Sequence, residues 1–312
     1  MRPASSVTIT NYNHAHFLPE ALEAILSQSY PPLEVLITDD ASTDASVDVI
    51  KEIARQFPIV RLIRNERNMG AVANTNRMLE LASGDFVYCA AADDRVLPGL
   101  FVKSMDILSR HPEAGLCCSD PSWFDGVTGR VRENRLHLSD EPAYFSSHDV
   151  EVKMRQKLFL IAGHTSVVKK NALLEAGSLL PELRWHSDWF ASLVIAFRYG
   201  ICYIPEPLAN LRVLEQSYSS SGSREWPRQR DVLTRMLDLL MTDAYRDVLP
   251  AFCRSGVLAS FDAQILRVVG SSSKYRDYRT TLMIRRALWR AFRRTAGRLT
   301  PERIKEIARK QA

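Results

Sequence analysis

The chain has 312 residues, 46% hydrophobic and 25% charged, which is enough for a sizeable core and excludes a disordered or low-complexity protein. Its formal net charge of +5 is unevenly spread: residues 274–312 carry 13 Lys and Arg against 3 Asp and Glu, a net +10, which leaves −5 for the rest. Attraction to a polyanion or an anionic membrane therefore belongs to the tail alone.

Val7-Thr8-Ile9-Thr10 is a short β-rich run that breaks at Asn11-Tyr12-Asn13-His14. A helical pattern follows from Pro19, with Leu18, Leu22, Ile25 and Leu26 on one face, and Pro31-Pro32 stops it. Residues 33–38 form a second strand that ends in Asp39-Asp40-Ala41-Ser42-Thr43-Asp44, a cluster suited to start the next helix, whose stripe is Val47, Ile50, Ile53 and Phe57. Residues 60–63 are a third strand, 65–70 a loop and 71–82 a helix. Phe86-Val87-Tyr88-Cys89 then reads as a buried strand, followed by three alanines and the adjacent acids Asp93 and Asp94. Such a tip is either a solvated turn or a place where hard oxygen ligands hold a divalent cation.

Strands alternating with helices imply an α/β fold, a mostly parallel Rossmann-like sheet flanked by helices. In a parallel sheet the carboxyl ends of successive strands share one edge, where ligands bind. Asp39, Asp40, Asp93 and Asp94 should therefore face one crevice, and four carboxylates there call for a cation or for hydrogen-bond donors. Neither a G-x-G-x-x-G fingerprint nor a P-loop follows the first strand, so a bound diphosphate would need a metal for charge compensation.

Taken together, Thr10-Asn-Tyr-Asn, Leu26-Ser-Gln-Ser-Tyr-Pro, Asp39-Asp-Ala-Ser-Thr-Asp, Asn68-Met-Gly with Asn74 and Asn76, Ser83-Gly-Asp and Ala92-Asp-Asp resemble the nucleotide-sugar half of family-2 glycosyltransferases. The resemblance implies a GT-A type fold and an inverting, metal-dependent hexosyltransferase-type enzyme. It implies a UDP- or dTDP-sugar donor, a glycan or lipid-linked acceptor, and a role in cell-surface polysaccharide synthesis. Thr10 and Asp40 match positions that hold the base, and Asn11, Tyr12 and Asn76 lie in the same nucleotide-binding pieces. Asp93 and Asp94 match the acidic motif that binds the ribose and the Mn2+ or Mg2+ ion on the diphosphate. Asp39 and Asp44 also fit as helix-start acids. Ala91 stands where many members carry a further Asp.

Residues 98–110 read as a helix and 115–119 as a strand; between Pro121 and Glu151 the pattern fails, which predicts irregular acceptor-facing loops around Trp123, Phe124, His137, Tyr144 and Phe145. Residues 162–168 read as a strand entering the site. Asp188, at the start of the apolar helix 190–197, is a helix cap or, by the resemblance, the catalytic base, with Ser187 where a Glu is usual and His186 as a rival. Arg212 is expected at the diphosphate, with Leu214 in place of a family His and residues 217–223 as a closing loop. Ala91, Ser187 and Leu214 also leave open a catalytically inactive nucleotide-sugar-binding or scaffold protein.

The expected organisation is a nucleotide-sugar half at 1–120, an acceptor and base half at 121–222, and a helical region at 223–312. Within the last, Leu282, Leu288, Trp289, Phe292, Ala296 and Leu299 recur at helical spacing among arginines. That stripe either packs inward or lies on an anionic bilayer; no nucleic-acid module is recognisable, so nucleic acid is not an expected partner. The five cysteines lack C-x-x-C spacing, and apolar runs such as 193–197 are too short for a bilayer. Together they predict a cytoplasmic protein, peripheral at the inner face of the membrane if the tail binds it.

Overall fold

The computed structural model of the chain describes residues 4–213 and 225–296. The chain divides into two compact units, one made of Met1–Val150 with Phe159–Trp226, the other of Glu151–Leu158 with Pro227–Ala312.

The first unit is built on a ten-stranded mixed sheet. Its first part is the expected alternation: β1 (Ser5–Asn11), α1 (Leu18–Leu26), β2 (Glu34–Asp39), α2 (Ser46–Gln56), β3 (Val60–Arg64), α3 (Ala71–Leu81) and β4 (Phe86–Ala91). Strands β3, β2, β1 and β4 run parallel in that order, with Asn11 beside Asp39 and Thr10 beside both Thr38 and Ala91. Val7, Ile9, Val35, Ile37 and Tyr88 are buried between the helices, as near-continuous apolar strands demand when both faces are covered.

The carboxyl edge depends on an anchor at the opposite end. Buried Glu34 accepts from Ser6 Oγ at 2.9 Å, Ser83 N at 2.6 Å and Arg61 Nη1 at 3.2 Å, and Gly84 N donates to Ser6 Oγ at 2.9 Å. A Cβ on Gly84 would stand 2.6 Å from Ser6 N, so only glycine lets the chain pass there. The Ser83-Gly84-Asp85 piece thus aligns strands and lies at the edge away from the acids.

The chain continues through β5 (Arg95–Val96), α4 (Leu100–Arg110), β6 (Leu116–Asp125), β7 (Val131–Glu133), β8 (Ala143–Phe145), α5 (Ser147–Gln156), β9 (Ser166–Lys169), α6 (Lys170–Glu175), α7 (Ser187–Tyr199) and β10 (Ile201–Val213). β9 lies antiparallel between β4 and β6, and β6 pairs in parallel with β10. The segment expected to be irregular is so only in part: its start extends β6, and the short strands β7 and β8 and the first turns of α5 interrupt loops at 126–130 and 134–142. Pro121 reads as a stop, yet it sits inside β6 where β10 slips register around Pro207, a bulge that tolerates missing donors. The following loop is fastened by Asn134 N on Pro121 O at 2.8 Å, and Asp120 Oδ1 accepts from Leu136 N at 2.9 Å and Tyr203 OH at 2.6 Å. Residues 163–165 form a 3-10 turn rather than the start of a strand.

The second unit is helical: α8 (Trp226–Leu240), α9 (Leu249–Ser255), α10 (Asp262–Gly270) and α11 (Thr281–Ala296), with 3-10 turns between. Val232, Leu233, Met236, Leu237, Phe252, Ile265, Tyr275 and Tyr278 form its interior.

Candidate active site

At the ends of β1 and β2 the polar side chains are mostly spoken for. Asn11 Nδ2 donates to Asp39 Oδ1 at 3.0 Å and to Ser42 Oγ at 3.2 Å, and Asp39 Oδ2 accepts from Ser42 N at 3.2 Å. Asp44 accepts from Ala15 N at 2.9 Å and Ser46 N at 3.0 Å, which fixes the entry to α2. Thr10, one residue before the end of β1, lies beside Ala91, and Tyr12 is exposed just beyond the strand.

Asp40 is buried and holds the loop 65–70. Oδ1 accepts from Asn65 Nδ2 and Met69 N, and Oδ2 from Gly70 N, each at 2.8 Å. Burial works against its charge, but the donors from Met69, Asn65, Asn74 and Gly70 outweigh it and keep the carboxyl below its usual value. Asn65 Nδ2 also donates to Asn74 Oδ1 at 2.7 Å. Asn76 is committed elsewhere: its Nδ2 donates to Leu179 O at 2.7 Å, and its Oδ1 accepts from Leu179 N at 3.0 Å.

The acids after β4 meet the end of β10. Arg212 N donates to Asp94 Oδ1 and Arg212 Nε to Asp93 O, both at 2.9 Å, while Arg212 Nη2 donates to Glu20 Oε2 at 2.7 Å. The guanidinium lies between the rings of Phe17 and Phe124, 4.3 Å from each centroid. Arg95 also pairs with Glu20. Residues more than a hundred positions apart thus form one knot. Burial first, and then the charge of Asp93, push the Asp94 carboxyl up to about 7 against the pull of Arg212. The sequence gives no reason to choose Glu20, Phe17 or Phe124: Glu20 reads as an ordinary first-turn acid of α1.

Asp188 reaches the neighbourhood of β4 by another route. It lies in the first turn of α7. A Cβ on Gly163 would stand 3.0 Å from Asp188 Oδ2, so the 3-10 turn 163–165 passes directly against this carboxylate. The same turn is bound to β4, because Tyr88 OH donates to His164 O at 2.8 Å. The Asp188 charge is felt by the Cys89 thiol of β4. Although Asp188 is exposed, crowding by protein pushes its carboxyl above the usual range, against the N–H groups of Trp189 and its own backbone. Buried His164 is driven down to about 4 by loss of solvation, so it is neutral at pH 7.

Beyond this turn is a cleft of about 610 Å³ lined by Trp123, Phe124, Asp125, Arg130, Val131, Arg132 and Val213. The Trp123 ring lies 6.1 Å from that of His164, in the turn 163–165. Leu214 and the expected closing loop 217–223 lie outside the described residues.

Among the described residues no three His, Cys, Asp or Glu side chains are grouped to hold a metal. Two adjacent carboxylates, one of them raised to about 7 by burial and its neighbour, fit a cation that draws its other oxygen ligands from a diphosphate and water. Asp93 and Asp94 are the residues that would hold it.

The sequence profile described as "Glycosyl transferase family 2" matches residues 6–175, and the chain belongs to that family. An uncharacterized Mycobacterium tuberculosis protein, Rv1520, is 36% identical over 86% of this chain and 75% of its own length. An uncharacterized Escherichia coli glycosyltransferase, YibD, is 38% identical over 40% of this chain and 36% of its own length. Among solved structures, Staphylococcus aureus TarS in complex with UDP-GlcNAc superposes with a TM-score of 0.63 at 15% identity, covering 91% of this chain and 89% of that one. A Pyrobaculum calidifontis mannosyltransferase in complex with GDP-Man and Mn2+ gives 0.57 at 16% identity, covering 96% and 88%. The fold is thus the α/β arrangement of GT-A enzymes, with helices at the C-terminus.

Proposed function

We propose that this chain is an inverting glycosyltransferase that moves a hexose from a UDP- or dTDP-sugar to a hydroxyl of a glycan or lipid-linked acceptor in cell-surface polysaccharide synthesis. The observation that carries the reading is the convergence on β4: the Asp93–Asp94–Arg212 knot beyond its carboxyl end, and Asp188 near the same strand, against the turn at Gly163 that Tyr88 holds. Similar folds solved with UDP-GlcNAc and with GDP-Man and Mn2+ support a nucleotide-sugar donor.

In this reading Thr10, Asn11, Tyr12 and Asp40 frame the base. Asp40 acts chiefly by fixing the loop 65–70, since three donors of this chain already occupy it. Asn76 orders the backbone at Leu179 and lends shape rather than contact. A divalent ion on Asp93 and Asp94 would offset the diphosphate charge. Arg212, held flat between two rings, presents a fixed positive charge to the leaving diphosphate.

Asp188 takes the proton of the acceptor hydroxyl. The hydroxyl oxygen bonds to the anomeric carbon from the face opposite the diphosphate, and the bond to the diphosphate oxygen breaks with its electron pair. One displacement inverts the anomeric configuration. A raised carboxyl pKa suits a base, because it binds the proton better than an ordinary Asp does. In this reading the Trp123 cleft is where the acceptor enters, and an indole suits a sugar ring by its flat apolar face.

The test is nucleoside diphosphate release from a panel of UDP-, dTDP- and GDP-sugars, with and without Mn2+, for the native chain and Asp188→Asn. Turnover abolished by Asp188→Asn while donor binding survives supports the reading. Donor binding with no turnover by the native chain would show an inactive nucleotide-sugar binder instead.

A further inference from the structure

The last described helix, α11, carries five arginines and no acid. Its inward side is well defined: Met283 and Ala287 are fully buried. Arg286 caps carbonyls by donating to Met154 O at 2.9 Å and Ser255 O at 2.8 Å, and Arg290 pairs with the buried Asp262 at 2.8 Å. These positions recur at helical spacing, so this side is spent on packing within the second unit.

The outward side is unusual. Leu288, Trp289 and Phe292 are 57%, 57% and 70% exposed. At 3.6 residues per turn they share one face with Arg285 and Arg293, both exposed. Arg293 lies over the Trp289 ring, 4.9 Å from its centroid. Among the described residues neither Arg285 nor Arg293 pairs with a carboxylate. Of the expected stripe, Leu288, Trp289 and Phe292 are therefore the part left in water and Leu282 is half-buried, while the packing is done by Met283 and Ala287; Leu299 and the Ala296 side chain lie outside the described residues. Isolated exposed apolar residues need no explanation, but three grouped on one helix face do.

We propose that this face of α11 docks on an anionic lipid bilayer, lying in the interface with Leu288, Trp289 and Phe292 inserted among the acyl chains and Arg285 and Arg293 at the headgroups. The face offers apolar area and positive charge but no amide or acid to set a register, which suits a fluid negative surface better than a structured protein. A second copy is a poor occupant, because a twofold interface would set the same arginines against each other. The site is independent of the transferase reading and supposes no membrane-spanning segment; no helix among the described residues is long and apolar enough to be one.

The experiment is flotation of the full chain with vesicles of pure phosphatidylcholine, or of phosphatidylcholine with about 30% phosphatidylglycerol. The expected result is recovery with the anionic vesicles only, weakened by salt. Leu288→Ala/Trp289→Ala/Phe292→Ala and Arg285→Glu/Arg293→Glu should each lower the partition at least tenfold, with Tm unchanged because these side chains are exposed. The Trp fluorescence blue shift on anionic vesicles should vanish in Trp289→Phe. Failure of the native chain to float overturns the proposal, as does a triple variant that floats like the native chain. A concentration-dependent dimer abolished by the triple variant, without vesicle binding, would assign the face to a second copy and also overturn it. Nucleoside diphosphate release by the same variants reports separately on the transferase reading.

Discussion

Gly163 and Asp188 are fitted to each other: the side chain that glycine lacks would stand 3.0 Å from Asp188 Oδ2, close enough that the carboxylate would have to give way slightly. The turn at 163–165 is therefore part of how the candidate base is aimed, and its backbone is fixed to β4 through Tyr88.

Gly163→Ala should push the carboxylate aside rather than unfold the chain, since the obstructing atom is the end of a side chain. We expect kcat to fall about tenfold to a hundredfold with donor KM nearly unchanged and Tm preserved. Asp188→Asn should cost about 10²–10⁴ in kcat. If both changes act on the same group, the double variant will be little worse than Asp188→Asn alone, measured by initial rates.

Asp94 makes stability depend on pH. Its carboxyl holds a proton more tightly in the fold, at about 7, than at its ordinary value of 3.8. Its contribution is therefore full below about pH 4 and is lost as pH rises through about 7. Asp94→Asn keeps an oxygen to accept from Arg212 N and removes the buried charge. Without divalent ions, its Tm at pH 8 should exceed that of the native chain by roughly 2–5 °C, with no difference at pH 4. Mn2+ should raise the native Tm at pH 8 and leave that of the variant almost unmoved, as followed by thermal scans.

Arg212 is a shaped cation, not a generic one. Arg212→Lys retains the charge but loses the planar fork that meets Glu20, the Asp93 carbonyl and two aromatic rings. Affinity for a nucleoside diphosphate should drop about tenfold or more, read by calorimetric titration. Phe17→Leu, which removes one ring and keeps the charge, should produce a smaller loss.

Gly84→Ala should separate stability from function. The added Cβ meets backbone, Ser6 N at 2.6 Å and Ser5 C at 2.9 Å, and neither can swing away. A loss of about 2–3 kcal/mol in urea unfolding is expected. Nucleoside diphosphate affinity should persist wherever the variant is folded, because the clash lies at the amino edge of β1 and β4 and the site at their carboxyl edge.

Local patterns determined much of this protein. Alternating apolar strands and striped helices, with Pro31-Pro32 and the acids of 39–44 as punctuation, suffice for the parallel half from β1 to β4, because each crossover is built from neighbours in sequence and can turn only one way. The paired acids at 39–40 and 93–94 were legible for the same reason, as was Asp188 at the start of a helix. Tertiary structure decided what those acids touch. Asp40 was drawn to a loop 29 residues away, Asp94 to Arg212, 118 positions on, and Arg212 to an acid and two rings contributed by two other segments, the start of α1 and the end of β6. It also carried β6 on through Pro121 to Asp125, by bulging β10 where the prolines deny a ladder, and it left Leu288, Trp289 and Phe292 facing water while Met283 and Ala287 packed. Spacing along a chain fixes which way a side chain points on its own helix or strand. The partner it finds there comes from other segments, through long-range packing that no local pattern encodes.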